Sequence, residues 1–596
     1  MKRLTLAVLL VVVAVAERAA AYTLIRPRPT SSPLRWSAAA QPVVMKLNDQ
    51  IGPGLPNLAP GSDPVAAIQA ALTKYPAISG VQIQSGTTSV TSANGSDGVN
   101  VISFANTAAN QTAFEMAGGD SVVGLTLLTF SSTTSQISDA DLLFNPNLQF
   151  TTTLTTDEAL QTANQFDVEA VATHELGHVI GLHHTGIESA TMWSLTSVLQ
   201  RQLDADDIAG ARTLYPIGSG RGSIRGKMTI DDVMAFGAHV VAIDPNGSLA
   251  ASTLTLLDGS YAIEQLAPAT YRVYVEPLDG PHSATPDVPC IELGNLSGAG
   301  IYSDSTLSTD FLTHIEANVV VTADTDTTLN FALPSTTPAL NPVQIGPATV
   351  TPSGGGVMIS ASVGAVALGL ATGTTQWIAV AGPGVKDVPV NNIDFGPGIT
   401  IDTTTHYAVT FTCNDSPLPG QVLKVTVDPS AALGGRPVVF SNGDQLAVFS
   451  GAVRILSGVP TPPTLTPTPT ASPTAKVPTA TATVPSPTFT TATIPMPPTP
   501  TPTSSPTAEA SAIATTAIVS TPTATVVGAT ATPGGCVGDC DGDHKVSVDE
   551  LVKGVNIALG NDVVASCEAF DSDHNDKVTV DELVQGVNAA LNGCPS

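Results

Sequence analysis

Residues 174–184 read HELGHVIGLHH, which places four histidines and one glutamate within a single short stretch. The whole chain has only 10 histidines in 596 residues. Residues four apart in an α-helix share a face, so His174 and His178 can present their rings to one metal ion. Glu175 lies beside the first of them, where its carboxylate can reach a water rather than the metal. Gly181 can adopt a positive φ and end the helix, which lets a third histidine approach from a loop.

The spacing therefore predicts a metal site with three protein ligands. Either His183 or His184 can supply the third ligand, and the residues alone leave that choice open. Three ligands leave the fourth tetrahedral position of zinc open, as catalytic zinc requires, whereas structural zinc is usually closed by four ligands. The first cysteine in the chain is Cys290, far from this stretch. Two ordinary core or surface histidines are the alternative, but five fixed positions in a chain so poor in histidine disfavour it.

The pattern His-Glu-x-x-His-x-x-Gly-x-x-His resembles the motif of the metzincins, a family of zinc endopeptidases. In that family the third ligand follows the glycine by three positions, which implies His184 and leaves His183 as a neighbour. A methionine turn beneath the metal is a second family feature. Met192 in SATMWSL (189–195) matches it.

Two further stretches are similar to matrixins within that family. QLDADDIAGARTLYP (202–216) resembles the helix that closes the matrixin catalytic domain, and ISDADLLFN (137–145) resembles the strand before the active-site helix. The resemblance covers about Arg35 to Tyr215 and implies an α+β catalytic domain. Many matrixins are kept latent by a propeptide cysteine, but no cysteine precedes Cys290 here.

The resemblance implies hydrolysis of peptide bonds in a protein or peptide substrate, with Glu175 as general base toward a zinc-activated water. The zinc ligands that it implies are His174, His178 and His184. It also implies that an extended substrate adds to an edge strand, here GLTLLTF (124–130), and that the loop 192–202, with Trp193, walls the specificity pocket. The alternative is a non-catalytic extracellular surface or adhesion protein with a degenerate metzincin domain, which the intact glutamate disfavours.

Composition and charge constrain the partners and the location. The net charge is −28 with 22 Lys and Arg, which argues against nucleic acid and anionic membranes as partners. Lys2 and Arg3, an apolar run over 4–16 and Ala19-x-Ala21 are typical of a secretory signal peptide. We therefore expect a secreted, extracellular protein, with no later stretch apolar enough to span a bilayer.

The chain is predicted to be multidomain. Short β-rich runs such as AHVVAI (238–243), STLTLL (252–257) and QVLKVTVD (421–428), separated by Gly, Pro, Asn and Asp, indicate β-sandwiches. The GSY at 259–261 and LAPATY at 266–271 resemble the carboxypeptidase regulatory-like sandwich. The predicted segments are a signal peptide (1–21), an α+β metzincin-like domain (22–216), a carboxypeptidase regulatory-like sandwich (217–335), an Ig-like sandwich (336–456), a disordered Thr/Pro-rich linker (457–535) and a small α-helical EF-hand or dockerin-like calcium domain (536–596).

The last segment contains a repeat, since VDELVKGVNIAL (548–559) recurs as VDELVQGVNAAL (580–591), each after an acidic loop. Oxygen ligands at loop positions 1, 3, 5 and 12, with the backbone carbonyl of position 7, form the EF-hand site for Ca²⁺. The predicted ligands are Asp539, Asp541, Asp543, Lys545 and Glu550 in the first loop and Asp571, Asp573, Asn575, Lys577 and Glu582 in the second. A duplicated loop and exit helix resembles a dockerin. Docking to a surface or scaffold partner and simple calcium-stabilised capping both stay open, as do three pairings of the four cysteines in this segment.

Overall fold

The structure is a computed structural model. It describes residues 24–26, 32–93, 95, 97–277, 310–353, 356–413, 416–458, 536–540, 545–547, 550–551, 553–554, 557, 564–572, 577–578, 582–583, 585–586 and 589–590. The predicted signal peptide, and the predicted linker after residue 458, lie outside these residues. The chain divides into two compact units, residues 1–470 and 471–596.

The first unit begins with a six-stranded sheet. Its strands are β1 (Arg35–Trp36), β2 (Val43–Asn48), β3 (Ile83–Thr88), β4 (Asn100–Ser103), β5 (Gly124–Ser131) and β6 (Gln136–Phe144). The order is β1-β6-β4-β2-β3 in parallel register, and β5 pairs antiparallel with the other side of β6. Among the described residues β5 has no second neighbour, so it is the outer strand of this sheet. The predicted strands 124–130 and 137–145 are confirmed.

Six α-helices accompany this sheet, together with a short parallel pair, β7 (Phe150–Thr151) and β8 (Phe166–Asp167). The helices are α1 (Pro64–Leu72), α2 (Lys74–Ile78), α3 (Ala108–Ala117), α4 (Asp157–Ala163), α5 (Val168–Val179) and α6 (Ala205–Leu214). Apolar side chains of the sheet, such as Leu142 and Phe144, share one core with Leu176 of α5 and Leu214 of α6. None of the helices in the described part of the chain is long and apolar enough to cross a membrane.

Residues 222–333 form two sheets. Their strands are β9 (Gly222–Ile230), β10 (Val233–Met234), β11 (His239–Ile243), β12 (Leu249–Leu254), β13 (Ser260–Leu266), β14 (Ala269–Glu276), β15 (His314–Val321), β16 (Asp326–Thr328) and β17 (Phe331–Leu333). β9 carries β10, β13, β16 and β17, and the second sheet has the order β12-β11-β14-β15. The strand predicted over 252–257 is confirmed only as far as Leu254. β12 ends at Leu254 because the chain turns back at Gly259, whose N–H donates to the Leu256 carbonyl.

Residues 344–456 form two more sheets. The strands are β18 (Gln344–Ser353), β19 (Gly356–Ala361), β20 (Leu368–Ala371), β21 (Thr375–Ala381), β22 (Ile393–Asp394), β23 (Ile399–Cys413), β24 (Ser416–Val427), β25 (Gly434–Asn442) and β26 (Gln445–Leu456). The orders are β19-β18-β21-β24-β23 and β20-β26-β25-β22. Alternate residues of both sheets, among them Ile378, Leu423, Phe440 and Val453, share one buried core, as expected of a β-sandwich.

The described part of the second unit is small and centred on Phe570, which is fully buried. Residues 550, 551, 553, 554 and 557 are helical, and so are their equivalents 582, 583, 585, 586 and 589 in the second copy of the repeat. A Cβ at Gly554 or Gly586, which are equivalent in the two copies, would lie 2.6 or 2.4 Å from the Phe570 ring. The repeat thus supplies two side-chain-free surfaces for one aromatic ring. A disulfide joins Cys540 to Cys567, which resolves one of the pairs that the sequence left open.

Candidate metal centre and peptide cleft

Helix α5 carries the motif, and the surrounding sequence determines where this helix begins and ends. The Asp167 side chain accepts the Ala170 N–H at 2.8 Å and caps the first turn, so Asp167 is the N-cap. Gly181 has φ +103°, and a Cβ there would lie 2.3 Å from the Leu34 carbonyl oxygen. The helix therefore ends at Val179, because only glycine fits the turn that follows.

The three histidines predicted as ligands lie together at the end of this helix. The possible ligand atoms of His174, His178 and His184 are all within 4.8 Å of one another. Their ring centroids are 4.9, 5.1 and 4.9 Å apart. Three imidazoles at this spacing fit a tetrahedral zinc ion with one position left open.

Backbone carbonyls orient two of these rings. Nδ1–H of His174 donates to the Thr191 carbonyl at 2.7 Å, and Nδ1–H of His178 donates to the Leu182 carbonyl at 2.8 Å. Each Nε2 therefore carries the free lone pair that a metal requires. Burial, followed by the neighbouring imidazoles, lowers the pKa of His174 to about 3 and that of His178 well below its usual value, so both rings are neutral at pH 7.

His183, the neighbour that the sequence left as an alternative ligand, faces elsewhere. Its Nδ1 accepts the His184 backbone N–H at 2.7 Å. The ring is buried, and its Nε2 has no hydrogen-bond partner among the described residues. The residue is thus a buried neighbour of the triad.

Glu175 is buried beside the triad and is held by the outer strand. Thr126 Oγ1 of β5 donates to the Glu175 carboxylate at 2.7 Å. A Cβ at Gly124 of the same strand would lie 2.6 Å from Glu175 Oε1, so a side chain there would displace the carboxylate. Burial raises the pKa of Glu175 to about 7, while the Thr126 hydrogen bond lowers it. A carboxyl group with a pKa near neutrality can both take and return a proton.

Met192 packs against the helix that carries the histidines. Its side chain is 2% exposed and packs against Gly177, where a Cβ would lie 2.2 Å from Met192 Sδ. Two acidic residues of α6 support the segment around it. Asp207 accepts the N–H groups of Thr191 at 2.8 Å and Met192 at 3.0 Å. Asp206 accepts the Thr185 hydroxyl at 2.7 Å. The closing helix therefore fixes the methionine turn by hydrogen bonds.

A cleft of about 520 Å³ runs along the triad. One wall is the start of β5, and the other is formed by residues that follow Met192. The lining residues on that second side are Ser194, Leu195, Thr196 and Gln200. The prediction that Trp193 walls the pocket is wrong, because its ring is 5% exposed and its Nε1–H donates away from the cleft to the Ala365 carbonyl at 2.9 Å.

The predicted calcium ligands are described only in part. Asp541, Asp543, Asp573 and Asn575 lie outside the described residues. The carboxylates at position 12 of the two loops are buried, and each accepts the N–H of position 2. Glu550 accepts from Cys540 at 2.7 Å, and Glu582 accepts from Ser572 at 2.7 Å. Asp571, at position 1 of the second loop, is 5% exposed.

Sequence reasoning missed several residues that support the site. Thr126, Gly124 and Gly177 carry no motif of their own, because their roles depend on a close approach to α5. Gly177 lies between His174 and His178 in the sequence. A glycine inside a helix is the one local indication that another side chain packs closely there.

Comparison with known proteins agrees with this geometry. Residues 88–216 match the model of the matrixin family. This part of the chain is a matrixin domain, and at the level of the family the match indicates a zinc metallopeptidase. The match includes all three histidines, Glu175 and Met192.

Several matrixin relatives share a short segment with this chain. This chain is 44% identical to metalloendoproteinase 5-MMP of Arabidopsis thaliana over 62 residues, and those residues make up 10% of this chain and 17% of that protein. It is 47% identical over 55 residues to the hatching enzyme of Paracentrotus lividus, which is 9% of each chain. It is 41% identical over 49 residues to karilysin of Tannerella forsythia, which is 8% of this chain and 10% of that protein. The similarity thus spans less than a fifth of each relative.

Proposed function

We propose that this protein is a secreted zinc-dependent endopeptidase that hydrolyses peptide bonds in the cleft between β5 and the segment after Met192. The observation that carries the proposal is the position of Glu175, buried in that cleft beside three histidines whose ligand atoms lie within 4.8 Å of one another. A zinc ion bound there would polarise the scissile carbonyl and acidify a water molecule.

The residues of this chain perform the remaining steps. Glu175 takes a proton from the attacking water and delivers it to the leaving amine nitrogen. Thr126 holds the carboxylate in place, since its hydroxyl donates to it at 2.7 Å. The free edge of β5 offers main-chain N–H and C=O groups, so an extended peptide can add to it as a further strand.

The cleft combines apolar and polar lining residues. Leu125 and Val171 give it apolar surface, while Ser194 and Thr196 provide hydroxyl groups on the opposite side. Such a mixture of apolar walls with a few polar groups is typical of sites that orient a ligand. The alternative, a non-catalytic surface protein with a degenerate metzincin domain, is not favoured, because Glu175 and all three histidines are retained.

The test is cleavage of casein and of a peptide library by the full chain and by Glu175→Ala. We expect Glu175→Ala to abolish proteolysis while zinc content, measured by atomic emission, is unchanged. Glu115→Ala, an exposed glutamate of α3, is the matched control and should retain wild-type activity. Undiminished turnover by Glu175→Ala, or an inert wild type loaded with zinc, would refute the proposal.

We further propose that the C-terminal segment binds two calcium ions and serves targeting or stability. Burial of Glu550, Asp571 and Glu582 supports this, because the carboxylates at positions 1 and 12 of a calcium loop turn inward. Calorimetric titration of the full chain with Ca²⁺ should show two sites, and Glu550→Gln and Glu582→Gln should each remove one. The exposed Glu568→Gln is the control. Heat of binding unchanged in both loop variants would contradict this assignment.

A further inference from the structure

The segment Ser189–Leu203, called the cleft loop below, carries the methionine turn and the second wall of the cleft. Part of its conformation is fixed within the matrixin domain. Gln200 Nε2–H donates to the Trp193 carbonyl at 2.7 Å and to the Leu195 carbonyl at 3.0 Å. Asp157 accepts the Ser197 hydroxyl at 2.8 Å. These bonds shape the middle of the cleft loop but leave its two ends to other partners.

One arginine of the β-sandwich formed by residues 344–456, called the second β-sandwich below, binds both ends of the cleft loop. Arg454 lies on β26 and is 5% exposed. Its guanidinium donates to four backbone carbonyls of the cleft loop, those of Ser189 (3.1 Å), Leu199 (3.2 Å), Gln202 (2.9 Å) and Leu203 (3.0 Å). One planar group with several N–H donors can satisfy acceptors in different directions, which an ammonium group on a flexible stem cannot match.

Other contacts bring the same sandwich against the cleft loop. The Glu188 N–H donates to the Ser450 carbonyl at 3.0 Å, and Trp193 Nε1–H donates to the Ala365 carbonyl at 2.9 Å. Gly451 has φ +79°, and a Cβ there would lie 2.7 Å from the Ser189 nitrogen. The strand therefore approaches the cleft loop so closely that no side chain fits at Gly451.

We propose that Arg454 is a positioning residue for peptide hydrolysis, and that the second β-sandwich sets the width of the cleft through it. The inference rests on the proposed peptidase function. Arg454 touches none of the groups that would react. It acts through the carbonyls of Leu199 and Gln202, which flank Gln200, and through Ser189, which precedes Met192. Substrate selectivity then depends on a residue more than 200 positions from the zinc motif.

The test compares Arg454→Met and Arg454→Lys with Arg436→Met in the full chain. Arg436 is a buried arginine of the same sandwich, but its guanidinium donates to the carbonyls of Asn246 and Ala432 and not to the cleft loop. We expect Arg454→Met to lower kcat/KM by about 10- to 100-fold, mainly through KM, since small displacements far from the chemistry have effects of this size. The cleavage-site profile should broaden, and Arg454→Lys should be intermediate.

Hydrogen exchange of the amides provides a readout that does not depend on activity. In Arg454→Met we expect faster exchange in residues 189–203, unchanged exchange in α5 and wild-type zinc content, whereas Arg436→Met should leave the cleft loop as in the wild type. Exchange and cleavage profile both unchanged in Arg454→Met would overturn the proposal, and so would a uniform increase over the whole chain shared with Arg436→Met. If the wild type cuts nothing, the peptidase proposal fails. Exchange localised to the cleft loop would still support positioning by Arg454, and unchanged exchange would still refute it.

Discussion

Met192 and Gly177 are in direct contact, and the absence of a side chain on Gly177 is what allows it. The glycine lies in α5 between His174 and His178, and Met192 Sδ occupies the space that a Cβ would fill, 2.2 Å from its position. The Tyr75 hydroxyl is 2.6 Å from the same point. The helix that carries both histidines can therefore lie this close to the methionine turn only because residue 177 is a glycine.

Gly177→Ala should displace either Met192 or the helix. We expect a loss of about 1–3 kcal/mol in the free energy of unfolding, as for other overpacked cores, together with weaker zinc binding. Thermal unfolding and competition with a chelator measure the two effects. Gly54→Ala, where a Cβ meets nothing within 4 Å, is the control. Adding Met192→Ala should restore part of the lost stability, and strictly additive effects of the two changes would contradict a direct contact.

The adjacent histidines give a second test. His184 has its ring about 5 Å from both other rings of the triad, whereas His183 uses Nδ1 to accept the His184 N–H. We expect His184→Ala to lose its zinc during gel filtration and to be inactive. His183→Ala should keep its zinc and lose about 10- to 100-fold in affinity at most, as is usual for groups that orient a ligand. The reverse order of zinc retention would show that the ligand is His183.

Much of the site could be predicted from local sequence, because a helix places residues by their spacing. His174, His178 and Gly181 belong to one helix and its end, and the strands 124–131 and 136–144 follow from their apolar pattern. Helix ends were less certain. Asp167 and Asn164 are both good capping residues, and only the structure shows that Asn164 instead ends α4 in a left-handed conformation.

The supporting contacts could not be predicted, because each joins residues far apart in the chain. Thr126 reaches Glu175 across 49 positions, and Arg454 reaches Ser189 across 265. For Trp193, a distant contact makes a prediction from local sequence wrong. A tryptophan next to Met192 suggests a pocket wall, but the second β-sandwich covers it, and no local pattern reveals that a distant strand will do so.

Thr126→Val should alter the pH dependence of hydrolysis. The hydroxyl donates to the Glu175 carboxylate and lowers its pKa, against the larger effect of burial, which raises it to about 7. Without the hydroxyl the pKa rises, so the acid limb of kcat/KM should move to higher pH. We expect a loss of about threefold to tenfold at pH 6 and a smaller loss at pH 8, since one hydrogen bond contributes about 1 kcal/mol. Thr129→Val, on the same strand, should leave the profile unchanged, and an unshifted acid limb in Thr126→Val would contradict this role.

Glu188 offers a test of stability that is independent of zinc. Its side chain is half-buried where the matrixin domain meets the second β-sandwich, and its Oε2 atom is buried with no hydrogen-bond partner among the described residues. Burial, and then the charge of Glu276, raises the pKa of Glu188 well above its usual value. Glu276 itself accepts from His239 and Ser450, so the carboxylate of Glu188 faces an acid already engaged elsewhere.

The effect of pH on stability follows from how tightly Glu188 binds its proton in the folded and the unfolded state. Below the pKa of Glu188 in the unfolded chain, near 4.5, the folded and the unfolded state both hold the proton. Ionisation of Glu188 then has no effect on the free energy of unfolding. As the pH rises, the unfolded state loses its proton first, so the contribution of Glu188 to folding is lost. Glu188→Gln, which stays neutral, should therefore match the wild type at pH 4 and be more stable at pH 8 by about 1–3 kcal/mol, because a buried carboxylate costs more to ionise than a neutral amide costs to bury. Scanning calorimetry at both pH values measures the difference in Tm, with the exposed Glu316→Gln as control. A gain at pH 4 equal to that at pH 8 would mean that ionisation of Glu188 is not the cause.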